Sequence, residues 1–220
     1  MPSPNRVPSA SPGPSVTEHL ASRAVERQMA KRRSDYEHDM ARIVESTFDL
    51  IRRTGTLDPP MRDILAETGL STQAFYRYFR SKDELMLALL DEGRRRLVAT
   101  LVRRMQRAAR PDEQVQAWIE GVLAQAAEPA AGRTRPWLAS ERRLSELFPD
   151  EQQASVDTLV RLLEDPISTL QGRPDDARGG AVLVYRVTFA TLQAHLDGGS
   201  RPGAQETGAL VAFCLRGLGR

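Results

Sequence analysis

Apolar residues recur at intervals of three and four along most of this 220-residue chain, the spacing that lines one face of a helix. No stretch alternates apolar and polar residues as a half-buried strand would. The prolines beyond the first fifteen residues fall between these periodic segments, where they open or end helices. The pattern therefore predicts an all-α fold of about nine or ten helices. The first strong helix spans 34–54, with Met40, Ile43, Val44, Thr47, Phe48 and Ile51 on its stripe and Gly55 as its stop. The segment before it, "SVTEHLASRAVERQMAKRR", has a thin apolar face and reads either as a further helix or as a continuation. The opening "MPSPNRVPSASPGPS" is too rich in Pro and Ser to bury a core and reads as a disordered tail.

Between 58 and 92 the punctuation becomes dense. Asp58 reads as the cap of a short helix opened by Pro59, with Met61, Ile64 and Leu65 facing inward. Gly69 turns the chain, and Ser71 caps a second short helix over 72–79. Ser81 and Glu84 form a capping box, so a long helix starts at Lys82 and runs to about Arg107, with Leu85, Leu89, Leu97, Leu101 and Met105 inward. A helix of about 20 residues followed by two of about 8 joined through a glycine makes a helix-turn-helix unit.

The second short helix has a chemical division. Phe75 and Phe79 lie four apart on one face and, with Leu70 and Leu85, complete a small core against Ile64. The other face carries Thr72, Gln73, Tyr76 and Arg77, with Tyr78 at its edge and Lys82 just beyond. Arginine can grip guanine and glutamine can pair with adenine, while hydroxyls and lysine hold phosphates. Backbone N–H groups at the starts of the helices beginning at Thr72 and Lys82, next to Ser71 and Ser81, favour phosphate as well. The combination points to double-stranded DNA.

The stretch "MRDILAETGLSTQAFYRYFRSKDELMLALLDE", residues 61–92, resembles the DNA-binding domain of the tetracycline-repressor (TetR) family, and with the preceding helix the resemblance covers 38–92. It implies a homodimeric repressor with a recognition helix in each major groove and a variable helical ligand-binding domain. By matching position it implies base or near-base contacts from Thr72, Gln73 and Arg77, and phosphate contacts from Tyr76, Tyr78 and Lys82, with Ser71 counted among the DNA-binding residues. One departure matters below. The family often places Thr at the start of the second helix to touch phosphate, whereas Asp58 and Pro59 stand here, and an acid near a phosphate is mildly unfavourable.

Beyond residue 110 helices are expected at 111–127, 135–147, 150–164, 166–171, 175–197 and 203–218. The last two are densely apolar, and a helix apolar nearly all round is buried on more than one side. Burial within their own domain is one account; with the resemblance they are expected to form a homodimer. Met86, Trp118, Trp137, Phe148, Tyr185 and Phe189 are large side chains from different helices. They would serve as plain core or would line a pocket for a small hydrophobic or amphipathic effector.

Composition, at 40% hydrophobic and 27% charged, is that of an ordinary globular chain. A net charge of +2 says little, and the seven arginines between 94 and 110 read as a solvated face. The six cations and two acids of 1–33 would suit either a minor-groove arm or a tail with no fixed partner. Cys214 stands alone, His19, His38 and His195 are scattered, and no apolar run approaches a bilayer span. No metal, cofactor, catalytic centre, secretory signal or membrane partner is expected, and a cytoplasmic location is. The organisation read from the chain is a tail and basic segment over 1–33, a helix-turn-helix domain over 34–81 and a ligand-binding and dimerisation domain over 82–220. The alternative is a dimeric helical adaptor that binds a protein partner through its basic, aromatic helix.

Overall fold

The computed structural model describes residues 16–56, 58–127, 131, 134, 143–172 and 176–219. Among these residues helices joined by short turns are the regular structure, with no strand. The helices are α1 (Val16–Thr54), α2 (Met61–Thr68), α3 (Thr72–Tyr78), α4 (Lys82–Met105), α5 (Pro111–Leu123), α6 (Pro149–Gln171), α7 (Ala177–Asp197) and α8 (Ala204–Gly217), with helical residues also at 143–147. The expected Pro/Ser-rich tail and most of the helix expected at 135–147 lie outside the described residues. The chain divides into two compact units, residues 1–42 and 43–220.

In the first unit the basic segment is helical and continues α1 rather than forming a helix of its own. Its described side chains stand in solvent, Leu20, Val25 and Met29 among them, and Arg33 pairs with Glu37 one turn on at 2.9 Å.

In the second unit, α5 is the central helix of the body. Val115, Trp118, Ile119, Val122 and Leu123 are all buried, packed by α4, α6, α7 and α8. Gly121 makes this possible: a Cβ there would lie 2.5 Å from a methyl of the fully buried Leu101 on α4. The two helices approach as closely as they do because that position carries no side chain.

Two expectations about helix ends are corrected. Asp58 does not cap α2. The helix begins at Met61 with extended Pro60 in the cap position and no side-chain cap bond, so both prolines precede the helix. The break expected at Pro166 is also absent, because α6 runs unbroken from Pro149 to Gln171. Pro166 removes one backbone hydrogen bond, but Leu159, Val160, Leu163 and Ile167 keep a continuous buried face across it, and tertiary burial outweighs the local loss.

An ionic cluster joins α1 to α4 within this unit. Arg96 donates from Nε to Glu92 at 2.6 Å, pairs with Glu45 of α1 and lies over the Phe48 ring with its guanidinium carbon 4.9 Å from the centroid. Arg95 also donates to Glu92, from Nε at 2.8 Å. Burial opposes ionisation of Glu92, yet the hydrogen bonds from Arg96 and Arg95 win and hold its carboxyl below the usual range. A carboxyl with a depressed folded pKa stabilises the fold above its unfolded value, and that stability is lost as pH falls through the folded one. Wild-type stability should therefore decline on acidification below the ordinary carboxylate range. In Glu92→Gln that part of the acid limb should be flatter, which urea unfolding across an acid pH series measures.

Candidate nucleic-acid interface

The turn between α2 and α3 is built from local chemistry. Gly69 sits in the left-handed region at φ 70°, ψ 18°, and its N–H bonds to the Leu65 carbonyl. Ser71 follows in extended conformation, and its Oγ accepts from the Ala74 N–H at 3.1 Å, which starts α3. After α3, Ser81 repeats the device, its Oγ accepting from the Glu84 N–H at 3.1 Å. Glu84 reaches back as expected of a capping box, but to the Arg80 N–H, at 2.5 Å.

Phe75 and Phe79 are buried at 0% and 1% exposure, with ring centroids 5.5 Å apart, in the core that also contains Ile64 and Leu85. Thr72, Gln73 and Arg77 are exposed, as are Ser71 and Arg80, while Tyr78 is half-buried. Tyr76 is 53% exposed and rests edge-on against Phe75 at 5.4 Å. The predicted DNA-facing residues of α3 thus share one accessible surface. Lys82 is less open: its Nζ pairs with Asp58 Oδ1 at 2.5 Å. Two features of this surface were not read from sequence, the open guanidinium of Arg80 and the ion pair between Asp58 and Lys82. Arg80 is an exposed cation between the two caps, and its place beside Ser81 was the available signal. Asp58 was read as a helix cap, and its pairing with Lys82, distant in sequence, had no local signature.

In the body, three of the six proposed pocket residues come together. Tyr185 and Phe189, one turn apart on α7, stack at 4.4 Å, and Trp118 of α5 lies 6.4 Å from each. The Trp118 indole N–H is buried and has no acceptor. Met86 is buried on α4 but outside that cluster, Phe148 is half-buried at the start of α6, and Trp137 lies outside the described residues. Arg143 donates to Asp83 of α4 at 2.9 Å. A polar pair not anticipated from sequence is buried between α4 and α6: Arg94 donates to Gln152 Oε1 at 2.5 Å, and among the described residues the Gln152 amide N–H₂ has no acceptor.

The structure also assembles a serine, a histidine and an acid. His195 Nδ1 lies 2.8 Å from Ser200 Oγ and its Nε2 3.0 Å from Glu206. Of the nearby backbone donors, the Ser200 N–H is taken by the His195 carbonyl and the Gly199 N–H by that of Leu196. The trio ties the end of α7 to the first turn of α8. Among the described residues no group of three or more His, Cys, Asp or Glu side chains is placed to hold a metal, and no helix is long and apolar enough to cross a membrane.

A capped seven-residue helix with a buried aromatic face and a polar, cationic outer face, following a glycine turn, is a helix-turn-helix head, and here it is carried on an all-helical body. Residues 43–89 match the family model of bacterial regulatory proteins, tetR family. No curated protein matches the sequence. Solved structures share the fold over most of their length. RolR, in complex with its ligand resorcinol, superposes with a TM-score of 0.61 at 16% identity, over 84% of this chain and 90% of its own. A TetR transcriptional regulator from Rhodococcus sp. RHA1 gives 0.63 at 14% identity, over 83% and 96%. The fatty acid degradation regulator FadR from Bacillus halodurans gives 0.59 at 16% identity, over 81% and 93%. The chain has the fold of the tetR-family transcriptional regulators.

Because α3 is pinned by two rings, truncating one should loosen the whole head. Phe75→Ala is expected to cost about 3–5 kcal/mol in denaturant unfolding, the range for emptying a buried aromatic site.

Proposed function

We propose that the protein is a sequence-specific DNA-binding transcriptional regulator, a homodimeric repressor that leaves a palindromic operator when a small hydrophobic or amphipathic effector binds its body. The observation that carries the reading is the division of α3: Phe75 and Phe79 face the core and leave Thr72, Gln73, Tyr76 and Arg77 outward. In this reading α3 enters the major groove. Thr72, Gln73 and Arg77 read or approach bases, and Ser71, Tyr76, Tyr78 and Lys82 hold phosphates.

Support for the effector comes from the Trp118, Tyr185 and Phe189 cluster and its unpaired indole N–H, which suit an aromatic or apolar molecule bearing an acceptor. Proteins of the same fold include one solved with resorcinol and one named a regulator of fatty acid degradation. Effector binding and operator binding then weaken each other by one common factor. Support for the homodimer comes from α7 and α8, where the large apolar side chains of Leu183 and Phe213 are 63% and 61% exposed. A two-fold pair would present its recognition helices to half-sites roughly 34 Å apart. The cytoplasm is the compartment in which such a regulator works.

Selection of bound fragments from random duplex DNA should yield a palindromic consensus. On that duplex Arg77→Ala should weaken binding by about 1–3 kcal/mol and relax preference at one position, as gel-shift titration measures. Absence of any salt-dependent duplex binding would favour the adaptor instead. Leu183→Glu combined with Phe213→Glu should give a folded monomer in sedimentation, since a charge on each side of a two-fold apolar contact is left without solvent.

A further inference from the structure

The geometry points to Asp58 as an internal counter-ion of the DNA-facing surface, one that occupies Lys82 and sets how strongly the head holds any duplex. The inference rests on the proposed phosphate role of Lys82. Lys82 opens α4, where the unsatisfied N–H groups make the local potential positive and a cation is poorly placed. Asp58 lies on the segment before α2, and the two prolines that follow it put the helix start at Met61, so its carboxylate has no capping duty. It is spent on Lys82 instead, Oδ1 to Nζ at 2.5 Å.

The lysine side chain is 26% exposed and the aspartate 69%, so the carboxylate that holds the ammonium is itself open to solvent. A phosphate approaching Lys82 therefore finds its ammonium already paired. It must displace the carboxylate or share the ammonium with it, and either course reduces what the lysine contributes. The pair is exposed enough that it adds little to the fold itself. Its effect falls on the association with a polyanion, where each neutralised phosphate counts. The other charges of this surface are arranged differently: Arg80 is exposed, and the acids of the first turn of α4 are engaged, Glu84 with the Arg80 N–H and Asp83 with Arg143. The counter-ion acts on a phosphate contact and not on a base contact, so it tunes affinity on all sequences alike and leaves base preference where it was.

Binding of the full chain to a fluorescent mixed-sequence duplex, across a potassium chloride series, reads this without knowledge of the operator. Asp58→Asn is expected to bind about three- to tenfold tighter at low salt, with a log–log salt slope steeper by about one. Asp58→Glu, which keeps the charge, should stay near wild type, and the gain should vanish in the Lys82→Ala background. If Asp58→Asn binds no tighter while Lys82→Ala binds more weakly, the counter-ion inference is overturned and the DNA reading stands. If Lys82→Ala leaves duplex binding unchanged, the phosphate role of Lys82 falls, and the inference with it.

Discussion

A seven-residue helix has no stability of its own in water, and α3 persists because Phe75 and Phe79 are driven out of solvent beneath it. That burial fixes more than the existence of the helix. Two rings four residues apart define one line along its surface, so the rotation of α3 about its own axis is set once both are inside. Gln73, Tyr76 and Arg77 are then aimed by a packing constraint and not by contacts of their own. The caps at Ser71 and Ser81 act on length: they start α3 and α4 at fixed residues and confine the outward face to the positions between them.

What could be read from the chain follows from the range of the forces involved. The turn glycine, the serine caps and the phenylalanine spacing act over four residues or fewer, and each was visible as a local pattern. Pro166 shows the limit from one side: proline is a strong local breaker, but the buried face from Leu159 to Ile167 depends on partners far along the chain. Asp58 shows it from another. Its residue type next to a proline announces a cap, while the lysine it meets lies on a different helix. His195, Ser200 and Glu206 also come together only through a helix–helix turn, and no periodicity marks them. In the body, aromatic residues announced core without saying which would cluster; Trp118 found Tyr185 and Phe189, and Met86 did not join them.

The helix α4 belongs to both halves of the second unit. Near its start Lys82 is held by Asp58 and Asp83 by Arg143; further along, Asp91 accepts from Ser155 of α6 at 3.3 Å and Arg94 donates to Gln152. On another face, Arg96 bonds Glu45 and covers Phe48 of α1. Polar links of this kind are directional and individually weak where exposed, which makes them easier to exchange than the apolar packing around α5. A single rigid rod therefore carries at one end the residues that border α3 and, along its flank, polar ties to the body.

The missing side chain at Gly121 determines how that rod can move. With a Leu101 methyl seated against bare backbone, α4 cannot slide along its axis without driving that methyl into the neighbouring turns of α5. Tilting about the seat is the displacement left open. Lys82 is nineteen residues from Leu101, a lever of roughly 28 Å at helical rise, so a tilt of about ten degrees would swing the first turn of α4 by roughly 5 Å. A tilt about a glycine buried in the middle of the bundle would thus be largest at the opposite end of the rod.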